Sequence, residues 1–454
     1  MGVVKFLTSR SGRNGMLAVA ATLTLPGLAA AADAAKPVTF SKDVAPILQA
    51  KCQDCHRVGS MAPMPLTTYE ETRPWARAIR ERVTTRQMPP WHVDKTIGIK
   101  EFKNDMSLTD EQIDIIARWV DSGAPQGNPK DMPAPRQWPQ GNVWEAEKVF
   151  GPPDLVVKGD KYTMPAHGQD VWWRPTSNIP VTEPRWVRAI EMRPQTPAGR
   201  RILHHAVAYL AQDDPNSLGP ADAPERAFMQ RSMLMEWAIG KGYDFYRPNT
   251  GKLLLPGAQI SWDMHIHAVG EEIRDGAEIG IWFYPKGQEP KYRTYLVPFM
   301  AMKSPLSLDI APNTVSMTEG FTVLRQPARL ENFQPHMHLR GKAMQLEAIL
   351  PDGTTQLISH ISNFNFNWMT NYIYTDESAP VFPKGTIIHT TAWHDNTKAN
   401  KNNPDPEQWV GWGDRTVDEM AHIWVNVTYI SDEDYQVWAA AHKKPALAAE
   451  QQQQ

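Results

Sequence analysis

Cysteine is almost missing from this chain: its 454 residues hold two, Cys52 and Cys55. A disulfide framework is therefore excluded. So is a blue-copper or dinuclear thiolate centre outside that pair, since such sites need a thiolate that the rest of the chain lacks. An excess of one charge is lacking as well. Lys and Arg number 47 against 50 Asp and Glu, a formal charge of −3, so no basic surface for nucleic acid is expected. A hydrophobic content of 41% is too high for a disordered chain. Beyond Ala32 no stretch approaches the about 20 uninterrupted apolar residues of a membrane helix. What the chain has in quantity is proline, 39 residues, and tryptophan, 17. Proline well above the ~5% average removes backbone donors and interrupts helices, which disfavours a long helical bundle. At ~150 residues per domain the length suggests about three domains.

The amino terminus reads as an export signal. Lys5, Arg10 and Arg13 precede an apolar run from Met16 to Leu28, and small residues follow up to Ala32, the arrangement of a cleaved leader. A signal peptide over residues 1–32 implies a periplasmic or secreted protein with no transmembrane segment after cleavage. From Ser41 to Gly123 the pattern is helical. Val44, Ile47 and Leu48 lead into the cysteines, and Trp75, Ile79 and Val83 recur at i, i+4, i+8 after Pro74. Thr109 and Gln112 form a capping-box pair ahead of Ile113, Ile116, Ala117 and Val120, and Gly123 ends the run. A proline-bearing linker over 131–141 separates this unit from a region of period two. There Ile202, His204, Ala206 and Ala208 alternate with Leu203, His205, Val207 and Tyr209, and Glu278 to Phe283 and Val425 to Tyr429 read the same way. Pro351-Asp352-Gly353 is a hairpin signal. Residues 439–454 form a polar tail.

The strongest motif is Cys52-Gln-Asp-Cys55-His56. Two thiols at this spacing add across the vinyl groups of a haem, and the adjoining imidazole becomes the proximal ligand. A redox dithiol or half a zinc site would leave the histidine unexplained. The second axial ligand must come from farther along the chain. Met88, followed by Pro89-Pro90, is the best placed, with His92 as the alternative. This stretch resembles a class I cytochrome c domain, which implies a small all-α fold over 37–130.

The other histidines cluster as His204-His205, His265 with His267, and His336-Met337-His338. Alternate strand residues share a face, so His336 and His338 can bind one metal together, whereas His204 and His205 need a bulge or a strand end to converge. Imidazole suits zinc, copper and iron alike. Leu203-His204-His205-Ala206, Asp263-Met264-His265, His336-Met337-His338-Leu339-Arg340-Gly341 and Asp418-Glu419-Met420 stand in the order seen in the copper type II, ascorbate-dependent monooxygenases. The resemblance, to the family of the peptidylglycine alpha-hydroxylating and dopamine beta-monooxygenases, covers roughly residues 141 to 438. It implies two all-β sandwich domains of jelly-roll type, over 142–305 and 306–438, each with one copper ion. The electron-storing copper would lie on His204, His205 and His265, with His267 as a possible third ligand in place of His265. The oxygen-activating copper would lie on His336, His338 and Met420.

The chain also departs from that family. Its disulfides are impossible here. Gln334 stands where the peptide-processing members grip a substrate carboxylate with arginine, and His422 and Trp424 replace their Asn and Tyr. A peptidylglycine substrate is thereby disfavoured. The expectation is a multidomain protein: an exported haem c-containing dicopper monooxygenase that hydroxylates a C–H bond of a small organic substrate with O2. A periplasmic donor would pass its electrons through the haem. The alternative is a copper- and haem-binding electron-transfer protein without hydroxylase activity. A copper nitrite reductase is disfavoured because its type 1 copper needs a cysteine.

Overall fold

The computed structural model describes residues 37–58, 60, 62–137, 143–216, 218–219, 231–238 and 241–442. The expected leader, the end of the linker and the last twelve residues lie outside them. Helices come first. Ala45–Lys51, Ala76–Thr84 and Asp110–Asp121 pack around Phe40, Leu48, Ile79, Val83, Ile116 and Trp119. The last of these starts at the expected capping box, in which Gln112 N–H donates to Thr109 Oγ1 at 3.2 Å and Thr109 N–H to Gln112 Oε1 at 3.0 Å. Thr68 and Glu71 cap the short Tyr69–Thr72 helix in the same way.

These helices do not make the small all-α cytochrome c domain expected from the sequence. They are short, and the chain between the second and third leaves them to lie on the β-structure. Val93 bridges Ile361, Phe102 bridges Tyr374, and Ile99 N–H donates to Ile358 O at 2.8 Å. Trp91, Val93 and Phe102 are buried in the same core as Phe333, Tyr372 and Ile423. The helical segment therefore belongs to one compact unit that begins at Val38 and takes in the strands, and strands dominate that unit. The described part of the linker is also tied down: Gln49 Nε2 donates to Ala134 O at 2.7 Å and Arg136 Nη1 to Gln49 O at 3.0 Å.

The β-rich remainder is sandwich-like, but its halves share a sheet. The main path of an 11-stranded sheet runs in the order Leu155–Lys158, Ala277–Phe283, Arg185–Pro194, Thr250–Leu254, Tyr292–Met300, His422–Tyr429, Ala328–Leu330, Val381–Phe382, with Tyr243–Phe245, Asn332–His336 and Tyr372–Ile373 paired off that path. The Tyr292–Met300 strand pairs with His422–Tyr429 from Thr294 opposite Thr428 to Met300 opposite His422, which joins the two halves through backbone hydrogen bonds. On one half a 5-stranded sheet contributes Ala206, Met235 and Ile260 to a core with Ile190 and Ile281. On the other a 4-stranded sheet contributes Leu346, Ile358 and Ile388 to a core with Val297 and Val425. The turn at Pro351-Asp352-Gly353 joins Gly341–Ile349 to Thr355–Ile361 as expected, with Gly353 at φ 85°, a conformation that favours glycine. Among the described residues no helix is long and apolar enough to cross a membrane.

Candidate metal centres

His204 and His205 lie at the start of the Leu203–Ala211 strand, and His265 lies opposite His205 on Gln259–Ile266. Successive strand residues face opposite sides, so an irregularity is needed to bring the two neighbours together. It is present: the register shifts between His265 and Ile266, whose partners are His205 and Leu203, leaving His204 as the extra residue. One ligand atom from each of the three lies within 4.8 Å of the others, the only such group among the described residues. His204 Nδ1 and His205 Nδ1 are 3.1 Å apart. His265 Nε2 is 2.8 Å from an Asp170 carboxylate oxygen, and its Nδ1 is buried with no hydrogen-bond partner among the described residues. A carboxylate on one ring nitrogen fixes the tautomer and frees the other for a metal. Trp172 stacks on His265 at 4.5 Å. Burial, then the neighbouring imidazoles, pulls His204 down to about 4 and His205 well below the usual range, so both rings are in the neutral, ligating form. His267 is farther out, its ring centroid 6.3 Å from His204.

The second set is gathered from three places. His336 ends the Asn332–His336 strand and His338 follows in the turn, their rings 5.5 Å apart, while Met337 between them is buried in the core. Met420 precedes the His422–Tyr429 strand. Glu419 joins these pieces. Its fully buried carboxylate accepts the backbone N–H groups of His338 at 2.8 Å, Arg340 at 2.6 Å and Met420 at 3.3 Å. Desolvation raises its pKa to about 7 in spite of those bonds. His394 Nε2 donates to Met420 O at 3.2 Å. His338 Nδ1 is 3.2 Å from Asp418 O, which leaves Nε2 free for a metal. Arg340 holds the turn from within, bonding Asn396 Oδ1 at 2.8 Å and Val417 O at 2.9 Å.

In the sequence His422 is marked only as a departure from the family, without a ligand role. It stands opposite His336 across the paired strands, and the two rings stack at 4.7 Å. It is buried, and neither ring nitrogen has a hydrogen-bond partner among the described residues. Gln334, at the expected carboxylate-gripping position, is itself buried and donates to Met369 O at 3.4 Å.

One cavity of about 1030 Å³ meets both sets: His205 lines it together with His336, His338, Met420 and His422. Much of its remaining wall is apolar, including Trp237, Trp412, Trp424, Phe321, Met300 and Met302. Phe366 stands between the sets, 5.2 Å from the His204 ring and 6.0 Å from that of His338. The donors suit copper, since imidazole accepts both its oxidation states and a thioether favours the reduced ion.

The Cys52-Cys55-His56 motif caps the first helix. His56 N–H donates to Cys52 O at 2.9 Å, and both cysteines are free thiols. Burial pushes Cys52 up to about 12 and raises Cys55 as well. His56 Nδ1 is 3.1 Å from Met64 O, so a proton on Nδ1 leaves Nε2 for iron, the arrangement a proximal ligand needs. Met88 is half-buried after the Ala76–Thr84 helix, its N–H on Arg82 O at 3.2 Å. His92, the alternative axial ligand, is tied to the β-structure through its N–H to Tyr372 Oη at 3.1 Å, and its Nε2 is buried without a partner among the described residues.

No family model and no curated protein matches the chain. Among solved structures it is similar to the major capsid protein P2 from bacteriophage PM2, at 11% identity and a TM-score of 0.28, covering 61% of this chain and 97% of that one. It is similar also to PNGase F, a glycosylasparaginase from Flavobacterium meningosepticum, at 9% identity and a TM-score of 0.29, covering 61% and 96%. Likenesses of this size carry no functional argument.

Proposed function

We propose that the protein is an exported copper-dependent monooxygenase with a covalently bound haem, acting on a C–H bond of a small apolar organic molecule. The observation that carries this reading is that two imidazole sets, held on different sheets, open onto one cavity with a largely apolar wall. Copper ions bound there would supply one-electron reduction and dioxygen activation, with one oxygen atom inserted into the substrate and the other released as water. A haem joined to Cys52 and Cys55, with His56 on its iron, would supply electrons one at a time.

The chain's own residues do the rest. His204, His205 and His265 hold one ion, with Asp170 fixing the His265 ring. His336, His338 and Met420 hold the other, with Glu419 fixing the backbone of both segments. Trp237, Trp412 and Trp424 exclude water and favour an apolar guest. Two contacts tie the segment after Met88 to the second set: the Trp91 ring lies 4.7 Å from Tyr372, and Tyr372 lies 6.0 Å from Phe333 on the strand that ends in His336.

The test is metal and haem analysis of the purified protein, followed by ¹⁸O₂ exposure of the reduced holoprotein with a panel of apolar substrates. Two coppers, one haem and ¹⁸O in product are expected. Zinc in the histidine sets after copper-replete growth would overturn the reading. Electron exchange between haem and copper without oxygenated product would favour an electron-transfer protein instead.

A further inference from the structure

We infer that His422 is a third imidazole ligand of the second metal centre, so that this centre binds its ion through His336, His338 and His422 together with Met420. The inference rests on the proposed copper reading and adds to it a residue that the family resemblance assigns no such role.

Five observations converge on this ring. His422 is 3% exposed, and an imidazole brings at least one donor or one acceptor that burial would leave unsatisfied. Neither of its nitrogens finds a partner among the described residues, whereas His338, His265 and His394 each have one ring nitrogen engaged. Besides His336 its ring neighbours are tryptophans, Trp424 edge-on at 4.5 Å and Trp412 at 6.0 Å, which supply packing but no lone pair. The register sets His422 directly opposite His336. Directly opposed residues of an antiparallel pair project from the same face; the two rings lie nearly parallel at 4.7 Å, and with the His336, His338 and His422 nitrogens not yet gathered within 4.8 Å of one another, one ring turns about its side-chain torsions to aim both nitrogens at one ion. Finally, His422 lines the same cavity as His336, His338 and Met420.

The consequence is a centre with one more nitrogen donor than the resemblance implies. Both ions would then have three imidazoles, and the second would have the thioether in addition. A further nitrogen donor strengthens the hold on the oxidised ion, while the sulfur continues to favour the reduced one.

The test uses the full-length protein with His204→Ala and His205→Ala, which leaves the second set as the copper site, loaded with Cu(II) and read by electron paramagnetic resonance. Splitting by three equivalent nitrogens is expected, and His422→Gln in that background should reduce it to two. Copper affinity should fall by more than about 100-fold, beyond the ~10–100-fold that loss of an outer-shell partner costs. Met420→Leu should keep the three-nitrogen pattern. If His422→Gln does not fold, the nitrogen count of the parent still decides. A two-nitrogen parent that binds copper overturns the assignment of His422 and leaves the copper reading intact. A wild-type protein that takes up no second copper overturns both.

Discussion

Single side chains here do work that residue type alone would not announce. Asp170 is an example, because its carboxylate orients His265 from outside the ligand set. Asp170→Asn should lower copper affinity at the first set by about 10–100-fold without changing the number of nitrogen donors, measured by competition with a copper chelator. Lys252 is another. It is buried, donates to Met233 O at 3.1 Å and Leu234 O at 2.6 Å, and desolvation lowers its pKa to about 7. The folded protein thus binds this proton less tightly than the unfolded chain, so the destabilisation is full below about pH 7 and fades as pH rises toward the ordinary lysine value. Lys252→Met should raise the melting temperature most below pH 7, and the gain should shrink by pH 10. A constant gain across that range would refute the assignment. The motif histidines drew notice because they cluster in pairs, and the family resemblance grouped them into two sets. His422 was not legible as a ligand, because its significance lies in its cross-strand partner, and pairing between residues so far apart in sequence leaves no local pattern.

At the scale of elements, the turn that carries the His-Met-His motif depends on a glycine. A Cβ on Gly341 would lie 2.6 Å from Met337 Cβ and 2.8 Å from the Phe364 ring. Gly341→Ala should therefore cost about 1–3 kcal/mol in unfolding free energy and weaken copper at the second set more than at the first. Chemical denaturation and site-resolved copper titration would check both. The capping box at Thr109 and the hairpin at Pro351 to Gly353 were readable, since each is a short-range hydrogen-bonding rule written in adjacent residues. The bulge beside His204 was foreseen as a requirement, though nothing local in the sequence locates it. The all-α expectation failed in the stretch between helices. Trp91 and Val93 alternate there as an edge segment would, and the surrounding prolines hid how far this segment departs from the helices. Phe366, in an asparagine-rich loop, gave no signal of its position between the two imidazole sets.

For the molecule as a whole, the helical segment and the strands stand or fall together. Trp91, Val93 and Phe102 cover Tyr372, Tyr374 and Phe333, so a chain beginning at residue 143 would bare those aromatic side chains. Such a truncation should be poorly soluble and melt at lower temperature than the full protein, and intact protein should unfold in a single calorimetric transition. An independently stable truncated form with an unchanged melting temperature would show the segment to be a separate appendage. Two separate β-sandwich domains were legible only as what the family resemblance implied. Their fusion was not, because the pairing of Tyr292–Met300 with His422–Tyr429 links strands more than a hundred residues apart. That shared sheet has a kinetic meaning. Two domains on a hinge can bring their metals together and part them, and the rate of such a motion slows with the friction of the solvent. Halves stitched by a continuous ladder hold the gap between the two imidazole sets constant, so on the proposed copper reading an electron would cross a fixed length of protein. Turnover limited by that crossing would be indifferent to added sucrose or glycerol, and the gap itself would be a dimension set once, when the chain folds.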